Sequence, residues 1–182
     1  MDIEKMKLIQ TTTLIQWLKI YRLYLDAFPA SERKPFSIIR SMQKKGKTDV
    51  WYFEKDGRFA GFATTINGSD RILLDYLAVA RKMRGHGIGT EILQHLRTQY
   101  EGKSVFLEIE RLCPEAPNAE ERIRRKRFYL SCGMTELNVA ARVFGVEMEL
   151  LGWNCTLDFD EYRRFYRDNY SEYAARNILP ME

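Results

Sequence analysis

The chain reads as a mixed α/β domain, and three features of the sequence point there. Segments alternating with period two are interleaved with segments whose apolar residues recur every three to four positions. The early strands meander, joined around Asp56-Gly57, the strongest short hairpin signal in the chain. Later segments follow a strand–helix–strand order, and one such junction carries "RGHGIG", residues 84–89. At 182 residues a single domain over 1–182 is expected, long enough for a real hydrophobic core.

Each element has its own justification. "MKLIQTTT" suits a first strand. "TLIQWLKIYRLYLDAF" places Leu14, Trp17, Leu18, Tyr21 and Leu25 at helical spacing. Prolines 29 and 35 bracket polar residues in "FPASERKPFS", a turn-rich break. A short helix through Ile38, Ile39 and Met42 ends near Gly46, and "VWYFEKDGRFAGFATTI" is the hairpin. "RILLDYLAV" is a strand running into the glycines. "TEILQHLRTQY" continues them as a helix, with Ile88, Ile92 and Leu96 on one face. "SVFLEIE" is a strand whose period puts Val105, Leu107 and Ile109 on one side and Phe106, Glu108 and Glu110 on the other. "NAEERIRRKRFYLSCG" is a helix with Asn118 as N-cap, Glu121 at the capping-box position and Gly133 as C-cap. "MTELNVAA" and "VEMELLGW" form a closing strand pair, and a terminal helix spans about 158–178.

Composition excludes several classes. Hydrophobic residues are 45% and charged ones 30%, the mix of a soluble globular protein rather than a disordered one. A net charge of +4 favours anionic ligands slightly and falls short of a nucleic-acid binder's basic stripe. Cys113, Cys132 and Cys155 are odd in number, lack metal-ligand spacing and read as reduced thiols. "MDIEKMKLIQ" lacks a signal peptide's apolar core, and no run is long enough for a membrane span. A cytoplasmic protein with no membrane or nucleic-acid partner is expected. His86 and His95 belong to no metal-spaced cluster, so no metal is expected.

The glycine stretch narrows to a kind of ligand. A P-loop would end in Gly-Lys-Ser/Thr, whereas Gly89-Thr90 ends this one without lysine. A dinucleotide fingerprint sets its first glycine directly after the strand, and here "ARKMR" intervenes between Val79 and Gly85. What remains is a glycine-rich helix N-terminus, whose backbone amides and helix dipole suit a phosphate. Gly85, Gly87 and Gly89 allow close approach, and Arg81, Lys82 and Arg84 add positive charge. The plainer reading is a loop whose glycines only serve turning.

"LAVARKMRGHGIGTEIL" resembles the Arg/Gln-x-x-Gly-x-Gly/Ala motif of the GNAT family of acetyl-CoA-dependent N-acetyltransferases, with Arg84, Gly87 and Gly89 matching. "RFYLSCGM" is similar to the family's Phe-Tyr-x-x-x-Gly-Phe. Phe128, Tyr129 and Gly133 match, and Met134 replaces the phenylalanine. The two motifs cover about 70–135 and lie in the family's order. The resemblance implies a GNAT fold, a central, mostly antiparallel sheet flanked by helices and splayed between the strands around 71–79 and 104–110. It implies acetyl-CoA as co-substrate and direct attack by a primary amine in a ternary complex. It places the pantetheine arm on the backbone of Leu77, Ala78 and Val79, with an amide, most plausibly Val79's, polarising the acetyl carbonyl. The pyrophosphate falls on Arg84, Gly85, Gly87, Ile88, Gly89 and Thr90.

The chemistry asks for a neutral amine, a stabilised oxyanion and a protonated leaving thiolate. By the resemblance Tyr129 is the general acid, a phenol that stays protonated at neutral pH. Glu108 or Glu110, roughly 6–7 Å apart along one strand face, suits the general base, Glu108 fitting the family segment better. A water chain is the other route, and a solvated face or a salt bridge with Arg122 the structural alternative. The family often has asparagine and alanine where Arg122 and Arg125 stand, so the asparagine's coenzyme contact is in doubt. An arginine there suits a phosphate, or a helix face balanced by Glu120 and Glu121. The acceptor, a small-molecule or peptide amine, is expected between "FPASERKPFS" and "VAARVFGVEM", with Phe28, Phe36 and Phe144 as walls or as packing residues. A non-catalytic acyl-CoA-binding module, a basic interaction protein and a homodimer stay open.

Overall fold

The structure, a computed structural model, describes residues 6–181. The first five residues, part of the segment read above for a leader, lie outside them. In chain order the elements are β1 (Lys7–Gln10), α1 (Leu14–Ala27), α2 (Phe36–Lys44), β2 (Val50–Lys55), β3 (Arg58–Asn67), β4 (Arg71–Val79) and α3 (Ile88–Gln99). There follow β5 (Ser104–Glu110), α4 (Ala119–Ser131), β6 (Thr135–Val143), β7 (Val146–Trp153), α5 (Phe159–Asn169), α6 (Glu172–Arg176) and β8 (Ile178–Pro180). The strands hydrogen-bond in the order β1-β2-β3-β4-β5-β7-β6-β8, a mixed, mostly antiparallel sheet. The β4–β5 ladder is parallel and pairs Arg71–Leu73 with Ser104–Phe106. The ladder covers three residue pairs, while β4 runs to Val79 and β5 to Glu110. The chain condenses into two compact units, one running to Thr65 and resuming over Asp75–Glu101, the other Ile66–Leu74 with Gly102 onward.

In the first unit the hairpin turn is as the sequence requires. Asp56 and Gly57 both adopt left-handed φ, 51° and 69°, the pair of values a two-residue type I′ turn needs. The core gathers Ile20, Tyr24, Val50, Tyr52, Phe62 and Tyr76. Gly61 is dictated by packing, because a Cβ there would stand 2.4 Å from the Ala78 carbonyl oxygen.

On α1 the stripe expected from spacing is not the buried one. Trp17, Ile20, Leu23 and Tyr24 face the core, whereas Leu14, Leu18, Tyr21 and Leu25 are exposed, Leu14 by 69%. Apolar residues run almost all round this helix, so two stripes satisfy the helical period, and periodicity cannot rank them.

In the second unit β6 and β7 join through Phe144 and Gly145, both left-handed, with φ 47° and 86°. Helix α4 closes as expected. Gly133, φ 84°, donates to the Leu130 carbonyl and Met134 to that of Tyr129, the paired bonds of a Schellman motif. Its start differs from expectation: Asn118 is the N-cap residue but makes no side-chain cap bond, because its amide is engaged with Glu110 and its carbonyl with Arg122. The expected terminal helix is two helices, broken at Tyr170–Ser171, with the Ser171 hydroxyl capping α6. Helix α5 packs by Phe165 and Tyr162 edge-on against Phe106 of β5.

Candidate active site

The glycine loop lies wholly in the first unit. Past Val79 the chain makes one 3₁₀ turn over Arg81–Met83 and enters α3 with Gly87 as N-cap. Gly85 and Gly87 are left-handed, φ 81° and 73°, a conformation that costs a side-chain-bearing residue about 1–2 kcal/mol. A Cβ on either would meet nothing within 4 Å among the described residues, so the space in front of them is open there. The Gly87 carbonyl accepts the helix's first bond, from the Glu91 amide, and Ile88, Gly89 and Thr90 form the first turn of α3. The Ile88 side chain is buried in the core, so this residue can offer a ligand only its backbone. Open space, leading amides and a helix dipole together suit an anionic group.

Two contacts hold this loop. Arg84 donates through Nε to the Val79 carbonyl oxygen at 3.1 Å, tying the loop to the end of β4. The His86 ring pairs with the Arg84 carbonyl at 2.8 Å, so this exposed histidine is engaged with its own loop. On β4 itself Ala78 is buried, with Leu77 and Val79 half-buried.

The turn-rich loop before α2 is pinned to β4 as well. Lys34 pairs with Asp75 at 2.7 Å, and its amide donates to the Tyr76 hydroxyl at 3.1 Å. That hydroxyl donates to the Glu32 carbonyl, and Tyr24's to the carbonyl of Lys34. Burial raises the pKa of both phenols above the ordinary tyrosine value. Phe28 and Phe36, named above as acceptor walls or packing residues, are half-buried and pack on Tyr24. Phe144 is half exposed at the β6–β7 turn, against Tyr173.

In the second unit the two strand glutamates separate. Glu110, 7% exposed, is clamped by Arg122 at 2.8 Å and Arg125 at 3.1 Å, and Asn118 bonds both its oxygens. A carboxylate held between two cations takes up a proton poorly. Arg122 also donates through Nε to Asn118 and through Nη1 to the Arg111 carbonyl, so all three guanidinium nitrogens are occupied. Three of its five N–H donors are thus engaged within this cluster, and its side chain is mostly buried, so a solvated face does not describe it.

Glu108 is half-buried and accepts hydrogen bonds from the hydroxyls of Tyr162 and Tyr166 on α5, both at Oε1, the latter at 2.7 Å. Sequence reasoning did not find these two tyrosines. Their i, i+4 spacing puts them on one helix face, but nothing local couples them to a strand 54 and 58 residues away.

Tyr129 sits on α4, half-buried, its ring tilted against Phe128. Burial pushes its phenol up to about 12, against the pull of the Arg125 guanidinium. Its hydroxyl makes no hydrogen bond among the described residues. A phenol in that state holds its proton at neutral pH and has a donor to offer.

A strand passing through a left-handed glycine loop into a helix N-terminus, in a mostly antiparallel sheet, defines an α/β domain. The sequence matches the model of the acetyltransferase (GNAT) family over residues 17–134, and the chain belongs to that family. Solved structures agree in fold. A GNAT-family protein from Bacteroides thetaiotaomicron superposes with TM-score 0.75 at 20% identity, covering 94% of this chain and 98% of its own. The ribosomal-protein-S18-alanine N-acetyltransferase of Escherichia coli gives 0.62 at 19%, covering 84% and 95%. A GNAT acetyltransferase from Elizabethkingia anophelis, solved with acetyl-CoA bound, gives 0.59 at 16%, covering 85% and 100%. No curated protein matches the sequence.

Proposed function

We propose that this protein is an N-acetyltransferase that transfers the acetyl group of acetyl-CoA to a primary amine by direct attack. The observation that carries the reading is the open space before left-handed Gly85 and Gly87 at the N-terminus of α3. Two features support a pyrophosphate site there: none of the described residues fills the space, and the amides of Ile88 and Gly89 precede the helix ladder. That one structurally similar GNAT acetyltransferase was solved with acetyl-CoA supports the choice of donor.

In this reading the backbone of Leu77, Ala78 and Val79 holds the pantetheine arm and Arg84 keeps the loop in register with it. The amine nitrogen attacks the thioester carbonyl carbon, forming the C–N bond as the C–S bond breaks. Glu108 accepts the proton the amine loses, and Tyr129 supplies one to the departing sulfur. Each group is then restored from solvent. The phenol's raised pKa keeps it protonated at neutral pH, and the nearby Arg125 charge favours the transient phenolate.

The test is a panel of amines with acetyl-CoA as donor, following CoA release: a polyamine, an aminoglycoside, free amino acids and a peptide bearing an N-terminal alanine. The aminoglycoside and alanine members are chosen because structurally similar proteins act on such acceptors. Saturable acetyl transfer to one class is the expected result. Coenzyme binding without turnover on any member would leave a binding module, and absence of coenzyme binding would overturn the reading.

A further inference from the structure

We infer that the outer face of α1, with the edge of α2 beside it, is a docking surface for an amphipathic helix of another protein, one whose apolar seam is flanked by acidic residues. Leu14, Leu18, Tyr21 and Leu25 are all exposed and stand in one row along α1, at intervals of four, three and four residues. That alternation is the seam of a coiled coil, the arrangement that receives the side chains of a second helix. At 1.5 Å per residue the row is about 17 Å long, and it occupies about 60° of the helix circumference. The core takes the opposite side of α1, through Ile20, Leu23 and Tyr24. An exposed apolar row of this kind, rimmed by polar residues, marks an interaction surface.

Cations border the row on both sides. On α1 the exposed Arg22 lies at one edge, with Lys19 beyond it. Helix α2 forms the other edge and runs antiparallel to α1. Its Phe36 packs on Tyr21 with centroids 4.9 Å apart, the Arg40 guanidinium lies 5.2 Å from the Trp17 ring, and Gln43 donates to the Thr11 carbonyl. Lys44, one helical turn beyond Arg40, therefore stands beside the start of the row, and exposed Lys45 and Lys47 follow it. Arg22, Lys44, Lys45 and Lys47 make no ion pair among the described residues, and the acid on α1, Asp26, is taken by Arg81. Between residues 14 and 47 stand eight basic residues and two acidic ones.

This charge decides the occupant. A second copy would bring Arg40 and Lys44 against their own counterparts in an antiparallel pairing, or against Arg22 and Lys19 in a parallel one. Like charges across a seam oppose association. An anionic bilayer would accept the cations, but it takes apolar side chains in any arrangement, and one narrow row is less than the broad apolar face an interfacial helix buries. An acid-flanked helix uses both features, since the seam sets its register and its carboxylates meet the cations.

The probe is a labelled synthetic peptide of three heptads with Leu at a and d and Glu at e and g, and its control carries Lys at e and g. Fluorescence anisotropy with the full chain should give saturable binding of the Glu-flanked peptide and none of the control. That binding should weaken several-fold as salt rises from about 0.05 M to about 0.5 M. Leu18→Asp should weaken it by at least about tenfold. Reversing two flanking charges, Arg22→Glu with Lys44→Glu, should turn the preference toward the Lys-flanked peptide. Leu14→Asp carries the same test if Leu18→Asp loses its fold, because Leu14 is 69% exposed and an acid in the first turn suits the helix dipole. Failure of the Glu-flanked peptide to bind, or binding indifferent to these substitutions, overturns the inference. Binding to phosphatidylserine–phosphatidylcholine vesicles that Leu18→Asp abolishes, with no peptide binding, assigns the face to a membrane instead. Self-association in sedimentation, abolished in the same way, assigns it to a second copy.

Discussion

Gly87→Ala separates a strained turn from a lost ligand contact. Gly87 has φ 73° and a Cβ there would meet nothing within 4 Å, so the substitution costs backbone strain and no clash. That strain is about 1–2 kcal/mol, a fall in Tm of about 2–8 °C for a chain of this size. Gly46, with φ 70° and equally open surroundings, supplies the control, since Gly46→Ala should lose the same stability for the same reason. Coenzyme affinity should divide them. With the pyrophosphate on this loop as proposed, a methyl group at Gly87 should cost it at least one charge-assisted hydrogen bond. Such a bond is worth about 1.5–3 kcal/mol, a weakening of about 10- to 150-fold. Calorimetry with CoA on both folded variants gives the answer: Gly46→Ala at parental affinity and Gly87→Ala well below it. Equal affinities in the two variants, at equal loss of Tm, would remove the phosphate from this loop.

Three further outcomes follow from the same structure. Tyr129→Phe should keep fold and coenzyme affinity while kcat falls about 10²- to 10⁴-fold, measured by steady-state kinetics with chemistry rate-limiting; a kcat within about twofold of the parent would return Tyr129 to packing. Glu110→Leu leaves Arg122 and Arg125 without their carboxylate and should cost about 2–4 kcal/mol in chemical denaturation with CoA affinity unchanged, whereas an equal loss of affinity would place this cluster at the ligand. Tyr76, Tyr100 and Tyr129 all titrate above the ordinary value because burial disfavours the phenolate. Their contribution is intact below about pH 10 and is lost as pH rises toward the folded values. Tyr100→Phe should therefore flatten the alkaline fall in stability, read from denaturation midpoints at pH 7 and pH 11.

Local chemistry explains which features were legible in the sequence. The Asp56-Gly57 hairpin, the Gly133 helix stop and the Ile88, Ile92 and Leu96 face each depend on residues adjacent in sequence, and each stands as expected. The glycine loop was legible for the same reason, as turn and helix start lie within six residues. The buried face of α1 was not, because Leu14, Leu18, Tyr21 and Leu25 satisfy the helical period as well as Trp17, Ile20 and Tyr24 do. Only the sheet that the helix packs on chooses between them. Asn118 shows a third case, in which a good capping residue is drawn away from its helix by a buried carboxylate.

Glu108 and Glu110 show most sharply where legibility ends. They are the same residue type on the same face of one strand, two positions apart, and pattern alone treats them alike. Their partners come from different helices. Helix α4 sends two guanidinium groups and an amide to Glu110, cancelling its charge and fixing both oxygens. Helix α5 sends two phenols to Glu108, both to Oε1. A base must keep its negative charge and still be able to take a proton, and a carboxylate held between two cations does so poorly. The choice between the two glutamates therefore follows from what α4 and α5 place beside them. The two guanidinium groups on Glu110, not its position on the strand, are what make it the poorer base in the proposed mechanism.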